Sequence, residues 1–474
     1  MRRWHIKISG YAPQEGTVED VTDPILLQWG NTPRTESEGI NEVDVTEFTT
    51  DLQWSNALTS PYEQGACSLV VPFAEAHKLV GLGSVEDGVF RPHASGWLTI
   101  LEDVSGVLRT RFYGPITRVS SGVGVDAKTG ARNTLRLSLS ATSWLSVLSR
   151  GFKVTKSEDL SVAGSLISFA QWSSITQAVI ESAYTSLPLA FETAWTRLGA
   201  LQSLPTGEPL SQYATVTRGP IDVQGRNISQ IQLPPFRATL WSVITATFQA
   251  SDLIELYPRW VHTKQGSKPT VVYRLKPPSL SVLATNEDGS SAYLDEKYGT
   301  LRNISFVPDD YLDEPIELLD VTRFSVDYDG TNRVNYIEVT SPYTGASTFA
   351  GVPSDPIFDG YDIQRYGLHE YTTEYPYIRD EGTIREQVNN LTGYAALLHA
   401  EAHRYGTGTV ETKYTPDTAD HGDWVRWYSY GPDSVPLEGY VTSVTHTVKV
   451  NDTGAVTAIS SWSVERVSTY QRST

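Results

Sequence analysis

Residues Leu437-Glu-Gly-Tyr-Val-Thr-Ser-Val-Thr-His446, then Asn451-Asp-Thr-Gly454, then an apolar-alternating run through Arg466, decide how the chain reads. Alternation on both sides of a turn rich in Asn, Asp and Gly is the pattern of a β-hairpin. A looser copy lies far upstream: Tyr113-Gly-Pro-Ile-Thr-Arg-Val119, then Lys128-Thr-Gly130, then Thr134-Leu-Arg-Leu-Ser-Leu139. Both have the form Gly-x-(Ile/Val)-Thr-x-Val, a turn ending in Thr-Gly, and a returning strand. Gly114 precedes Gly130 by 16 positions, and Gly439 precedes Gly454 by 15. Two such hairpins near the two ends of one chain predict a duplicated β-domain. Duplicated domains within a subunit are one way to build rings.

Outward from the first copy, residues up to about 150 read as all-β. Thr49–Ser55, Ala66–Val71, Trp97–Glu102 and Arg109–Ile116 have strand length and composition, and Gly and Pro punctuate the intervals. A short helix is predicted around Phe73 to Val80. After Arg150 the pattern changes. Ser173 or Ser174 caps a predicted helix carrying Ile175, Val179 and Ile180, which Pro188 limits. A second helix is predicted from Thr239 to Leu256, with Pro258 as its stop. Between them, 204–235 reads as loop or irregular β. Strands return at Pro269–Arg274, and a hairpin is predicted across Asp329-Gly330, joining Phe324–Tyr328 to Val334–Val339. Thr383-Ile-Arg-Glu386 fits a capping box that opens a helix over 383–405. The last 68 residues read as β. The expected fold class is α+β, mainly β: two β-barrel domains, 1–155 and 301–474, around a mixed, partly helical domain at 156–300.

The 474-residue chain is too long for one ordinary core. With 37 Lys and Arg against 55 Asp and Glu, its formal net charge is −18. Such a chain is poorly suited to hold nucleic acid by phosphate neutralisation. Acidity keeps a protein soluble, and it also suits the lining of a conduit through which nucleic acid passes. Cys67 is the only cysteine, so no intrachain disulfide forms. Met1-Arg-Arg-Trp-His-Ile-Lys7 starts basic but lacks the apolar core of a secretory signal. No run approaches the ~18 apolar residues of a membrane span, so no membrane insertion is expected.

The motifs that carry chemistry are weak. His399-Ala-Glu-Ala-His403 puts two imidazoles on one helix face, but a zincin places its Glu directly after the first His. The pairs Asp309-Asp310, Asp313-Glu314 and Asp380-Glu381 are neighbours in sequence, whereas a glycosidase needs carboxylates facing each other across a cleft. No nucleophile elbow, P-loop or dinucleotide fingerprint is present. No catalytic residue, metal or cofactor is expected.

The terminal segment resembles the end of phage tail hub proteins, the family that includes the baseplate hubs of contractile-tailed phages and the late control protein D group. The matching positions are Gly439, Val441, Val444, His446, Gly454 and Arg466. Gly406-Thr-Gly408-Thr-Val410 with His421-Gly-Asp-Trp-Val425 is similar to the family's paired "Gly-Thr … Gly-Asp-x-Val" strands. Val271-Val-Tyr-Arg274 with Pro277, Arg365-Tyr-Gly367 and Phe112-Tyr-Gly114-Pro-Ile116 match further segments in the same order. The resemblance implies two tube-type barrels per subunit and a homotrimer, a pseudo-sixfold ring joining the hexameric tail tube to the trimeric central spike. It implies a virion protein assembled in the host cytoplasm. Its partners would be the tail tube or distal tail ring protein, the spike, the tape measure C-terminus and other baseplate proteins. DNA would pass only in transit through the lumen. On this basis the strands holding Gly114, Ile116 and Val119, and Gly439, Val441 and Val444, are expected to be the matching ring elements. The spacer 204–235 and the acidic run 309–329 match nothing in the family. Two other functions fit a tail location: a glycan- or peptidoglycan-degrading enzyme, and a receptor-binding protein.

Overall fold

The structure is a computed structural model. It describes residues 3–11, 40–58, 64–79, 82–86, 89–92, 96–125, 132–147, 153–155, 166–183, 187–200, 215–218, 239–248, 252–263, 266–277, 315–329, 331, 333–341, 352–353, 355–374, 391–393, 395–396, 398–399, 405–416, 419–429, 434–450 and 455–469. Period-2 alternation builds most of it. In the strand Gln64–Pro72, Cys67, Leu69 and Val71 point inward, and in Arg132–Thr142 so do Leu135, Leu137, Leu139 and Ala141. The fold is mainly β with a few helices, as the sequence predicts.

Among the described residues, nine strands precede residue 150: β1 (Trp4–Tyr11), β2 (Ile40–Asp44), β3 (Thr49–Ala57), β4 (Gln64–Pro72), β5 (Gly83–Glu86), β6 (Val89–Pro92), β7 (Trp97–Val104), β8 (Val107–Val125) and β9 (Arg132–Thr142). All except the β5–β6 ribbon belong to one sheet, in the order β3-β4-β9-β8-β7-β1-β2. Its two ends, β2 and β3, are consecutive in the chain and joined only through Val45 and the 3-10 turn Thr46–Phe48. The sheet therefore curls back on itself around a core that includes Trp4, Ile6, Leu52, Trp54, Phe112 and Leu137. The expected short helix after β4 is a 3-10 turn, Phe73–Lys78.

The middle of the chain contributes the parallel pair β10 (Lys153–Thr155) and β11 (Leu166–Ser168), and a three-stranded sheet. In that sheet β14 (Gly266–Leu275) lies between β12 (Thr215–Arg218) and β13 (Ile254–Thr263). Three helical expectations need correction here. The first helix spans Phe169–Ala183 rather than starting near Ser173. Its cap is Ser168, whose Oγ accepts from Gln171 N at 3.2 Å while Gln171 Oε1 accepts from Ser168 N at 3.0 Å. A further helix, Leu187–Gly199, follows. Pro188 does not end a helix but sits in the first turn of this one, where a missing N–H costs nothing. The next helix, Leu240–Phe248, is shorter than the expected Thr239–Leu256, because residues from Ile254 enter β13. Pro258 lies inside β13, tolerated because that strand is an edge. Phe191 joins helix to sheet, stacked on Tyr273 at 4.7 Å and edge-on to Phe248 at 5.2 Å.

Beyond residue 315 come β15 (Ile316–Glu317), β16 (Val321–Tyr328), β17 (Tyr336–Ser341), β18 (Val352–Pro353), β19 (Ile357–Phe358), β20 (Glu370–Glu374), β21 (Gly406–Lys413), β22 (Trp424–Tyr428), β23 (Pro436–Val450) and β24 (Val456–Thr469). The predicted Asp329-Gly330 hairpin does not form. β16 pairs with β21 instead, and β17 pairs with β18, β19 and β20 in a separate small sheet. Asp329 makes only a local turn, its Oδ1 accepting from Thr331 N at 2.9 Å. The described residues of 391–399 are helical, with Leu391, Ala395 and Leu398 buried. The capping box at Thr383 lies outside the described residues, as do the hairpin turns at Gly130 and Gly454 and the three carboxylate pairs.

The remaining strands repeat the first sheet. Their order is β16-β21-β24-β23-β22-β15, and the end strands β15 and β16 are again consecutive in the chain. The correspondence runs residue by residue. Gly114 pairs with Leu98 and Pro115 with Trp97; Gly439 pairs with Val425 and Tyr440 with Trp424. On the other side, Ile116 pairs with Ala141 and Val441 with Val464, and a bulge follows at the same place in both, before Arg118 and before Ser443. A second shared bulge falls between Thr49 and Asp51 in β3 and between Val321 and Arg323 in β16. Bulges fix register, so two in common mark one repeated strand arrangement. The two curled sheets join edge to edge: β23 pairs antiparallel with β3, from Ser443 opposite Ala57 to Lys449 opposite Asp51.

Candidate functional site: the junction of the two sheets

The β23–β3 junction is built around aromatic side chains. His446 faces Trp54 across the strand pair, with ring centroids 5.0 Å apart. Trp54 also meets Trp4 at 5.0 Å and Tyr414 at 5.8 Å, and His446 meets Trp462 edge-on at 5.9 Å. Such pairs add to the burial of large side chains. His446 Nδ1 lies 2.9 Å from the Ser460 hydroxyl oxygen.

Flanking the aromatic cluster is a buried polar layer that ties the β13–β14 hairpin to both sheets. On the second sheet, Arg259 donates twice to the Asp423 carboxylate, both bonds at 2.8 Å. Asp423 Oδ2 also accepts from Asp420 N at 2.9 Å. Asp420 Oδ1 accepts from His421 N at 2.8 Å and from Asn56 Nδ2 of β3 at 3.1 Å. Burial pushes the Asp420 carboxyl up, but His421, Arg259 and Asn56 together hold it below the usual carboxylate range. His421 Nε2 bonds the carbonyl of Pro258. Gly422 between them has φ +85°, and a Cβ there would strike the Tyr257 hydroxyl, so only glycine fits. Arg274 donates from Nη2 to Gly422 O at 2.6 Å and to Tyr440 Oη at 3.0 Å, and from Nε to Glu255 at 3.2 Å. Tyr440 in turn donates to Glu255 at 2.6 Å. Arg466 bonds the carbonyl of Pro277 and lies over the Tyr440 ring at 4.4 Å.

The first sheet has a matching anchor. Glu102, fully buried, accepts from Arg111 Nε at 2.7 Å and from Tyr414 Oη at 2.6 Å. Arg111 Nη1 reaches His262 Nε2 at 2.8 Å, and Ser267 Oγ meets both His262 Nδ1 and Thr110 N. The motifs His421–Val425, Val271–Pro277, Gly439–His446 and Arg466, scattered in sequence, thus converge on one joint. What this arrangement does chemically is hold sheets together: its charges are paired or bonded to fixed carbonyls.

The six residues expected at a ring contact sit mostly inside. Ile116, Val441 and Val444 are buried in their own sheet's core, and Val119 packs against the first core. Gly114 admits no Cβ, because the Thr142 carbonyl oxygen occupies that space; a Cβ on Gly439 would press on Val464, Val467 and Trp427 at 3.2–3.3 Å. The structure does not bring the two triplets together. It places them at equivalent points of the two sheets, where Gly114 pairs with Leu98 and Gly439 with Val425, Ile116 with Ala141 and Val441 with Val464, and Val119 with Leu139 and Val444 with Trp462. Sequence reasoning missed the ion-paired residues Glu102, Arg111, Glu255, Arg259 and Arg274. For Glu255, Arg259 and Arg274 the signal is there: each is a charge between apolar neighbours of a strand, as in Ile254-Glu-Leu and Pro258-Arg-Trp260.

Of the His399-Ala-Glu-Ala-His403 motif, only His399 is among the described residues. It is half-buried and stacked on Tyr371 at 4.0 Å, and among the described residues no group of three or more His, Cys, Asp or Glu could hold a metal ion. Cys67 is buried, and that burial pushes its thiol up to about 12, far from a nucleophile's range. Among the described residues no helix is long and apolar enough to cross a membrane.

Burial also pushes the imidazoles of His446 and His399 down to about 4. In the unfolded chain each titrates near ~6.5, so acid favours unfolding. The stability associated with these neutral rings is complete above pH ~6.5 and is lost as pH falls toward about 4. Urea unfolding should show stability declining through this window, by roughly 3 kcal/mol per histidine at its acid end. His446→Phe should flatten that decline. A stability independent of pH between ~7 and ~5 would contradict the assignment.

No known protein family matches the chain, and no curated protein does. Three solved structures are similar to it over nearly their whole length. One is a 43 kDa tail protein of prophage MuSo2 from Shewanella oneidensis, 9% identical with a TM-score of 0.44, covering 97% of this chain and 98% of that one. Another is a tail protein from Neisseria meningitidis MC58, 10% identical with a TM-score of 0.47, covering 98% and 96%. The third is a prophage tail protein from Listeria monocytogenes EGD-e, 10% identical with a TM-score of 0.40, covering 97% and 94%.

Proposed function

We propose that the chain is a structural protein of a phage tail. In this proposal three copies form a hub, a ring of six similar sheets that joins a hexameric tail tube to a trimeric central spike. The observation that carries it is the internal repeat: two curled sheets of the same strand order, with bulges at the same places, joined edge to edge by β23 and β3. Repeated units linked head to tail generate closed rings when the rotation between them closes. The ordered sequence motifs that resemble those of tail hubs support the same reading, because four of them, His421–Val425, Val271–Pro277, Gly439–His446 and Arg466, meet at the joint. Residues 1–155 and 301–474 would be the two tube-like domains, with 156–300 bracing them.

No reaction is required for this role. The work is geometric: sheet edges meet by symmetry, and the lumen stays open for DNA and the tape measure protein. A net charge of −18 keeps such a lumen from holding DNA. Light scattering on the purified chain, alone and mixed with its spike partner, should give three copies per particle. A stable monomer under both conditions would refute the hub.

A further inference from the structure

In the first sheet, β8 leaves its neighbour β7 at Pro115 and continues to Val125 paired only with β9. Its other edge, from Thr117 onward, is unpaired among the described residues. The equivalent edge of β23 is the one that pairs with β3. In the second sheet, β16 is the counterpart of β3, and it ends the sheet order with its outer edge unpaired among the described residues. The chain thus carries one formed joint, β23 with β3, and the two separate halves of an equivalent joint, β8 and β16. We propose that β8 of one copy pairs antiparallel with β16 of the next, repeating between chains the joint that exists within the chain.

The shared bulges set the register. Gly439 corresponds to Gly114, so Val444 corresponds to Val119 and Lys449 to Gly124; likewise Leu52 corresponds to Phe324 and Trp54 to Val326. Carried over from the formed joint, Arg118 lies opposite Asp329, Val119 opposite Tyr328, Ser120 opposite Asp327, Ser121 opposite Val326 and Val123 opposite Phe324. Three features of the two edges fit. Val119 and Val123 share the inward face with Leu139 and Leu135, while Phe324 and Val326 share the inward face of their own sheet, so Val119 meets Tyr328 and Val123 meets Phe324, with Ser121 opposite Val326 between them. Val123 and Tyr328 are large apolar residues left 46% and 58% exposed, and the pairing covers both. On the outward face the single basic residue of the β8 edge, Arg118, meets the acidic pair Asp327 and Asp329. It is a cross-strand charge pair of the kind that Lys449 and Asp51 make elsewhere in the formed joint, at the position equivalent to Gly124 opposite Arg323. Neither edge has the proline or cluster of lysines that blocks strand addition.

This inference rests on the ring proposed above, and cysteine bridging separates the two. In a Cys67→Ala background, Ser120→Cys with Asp327→Cys should bridge between copies under oxidation or with dibromobimane. The control is Ser55→Cys with Thr445→Cys, which lie opposite each other in the formed joint and should bridge within one chain at a similar rate. The off-register pair Ser120→Cys with Arg323→Cys should bridge about tenfold more slowly, and either single variant should not bridge. Arg118→Asp or Asp329→Arg alone should weaken assembly, and the two together should restore it. If copies assemble but the Ser120–Asp327 pair bridges no faster than the off-register pair, the strand pairing is wrong and the ring stands on other contacts. Bridging by Ser120→Cys alone would mean that like edges meet, which also overturns it. A chain that stays monomeric and unbridged overturns both proposals.

Discussion

Replacing Arg274 by Met is expected to destabilise the folded chain by about 3–5 kcal/mol. Arg274 supports three partners at once: the Glu255 carboxylate, the Tyr440 hydroxyl and the Gly422 carbonyl. Glu255 is 5% exposed and Tyr440 is fully buried. Methionine keeps the length and apolar stem of the side chain, so packing loss is small. What remains is a carboxylate far from water with only a tyrosine donor, and that uncompensated charge is the main cost. A second substitution tests this cause. Glu255→Gln removes the charge, so the double variant should be more stable than Arg274→Met alone, although each single change destabilises. Urea midpoints for the four proteins give the coupling. A double variant as unstable as the sum of the singles would mean that charge is not what Arg274 compensates.

The second large effect is expected at Trp54. Trp54→Ala should cost about 3–5 kcal/mol, the range for deleting a large aromatic side chain from a core. Trp54 is 1% exposed and touches rings from three directions: Trp4 in its own sheet, His446 across the joint, and Tyr414 following β21. The loss should be uneven. Amides of β3 and β23 should exchange faster, while those of β9 facing β4 should stay protected, because Leu135, Leu137 and Leu139 keep their own packing. Equal loss everywhere would make the chain one cooperative unit and deny the joint a local character. Trp54→Phe, which keeps a ring, should recover much of the stability.

Local signals in the sequence were read well, and distant ones were not. Most strands of both sheets follow from alternation, though β1, β2 and β15 do not, and the two hairpins at Gly114 and Gly439 are recognisable from their glycine and valine spacing. Errors came where a short stretch satisfies two structures. Leu253-Ile-Glu-Leu256 continues a helical stripe, yet Ile254 and Leu256 are strand residues buried against β14. Pro188 stops one helix or starts another, and only packing on Ala190, Phe191 and Ala194 selects the second. The Asp329-Gly330 turn looked like a hairpin because its flanks alternate, but β16 finds a better partner in β21, nearly eighty residues on. The joint was the least legible part. Its strand pair links positions at opposite ends of the chain, and the Arg259–Asp423 ion pair and the Tyr440–Glu255 and Tyr414–Glu102 hydrogen bonds each span more than a hundred residues, so no window of sequence contains them. Only the isolated charges within apolar strands pointed there.

The β23–β3 pairing has a consequence for assembly. Because one polypeptide contains both sheets, that joint closes as the chain folds, at an effective concentration fixed by the tether and independent of how much protein is present. In a ring built from such chains, every second joint is of this kind. Dilution can release whole chains but never single sheets. The two halves are always made in equal number, and only half of the ring's joints have to form between molecules.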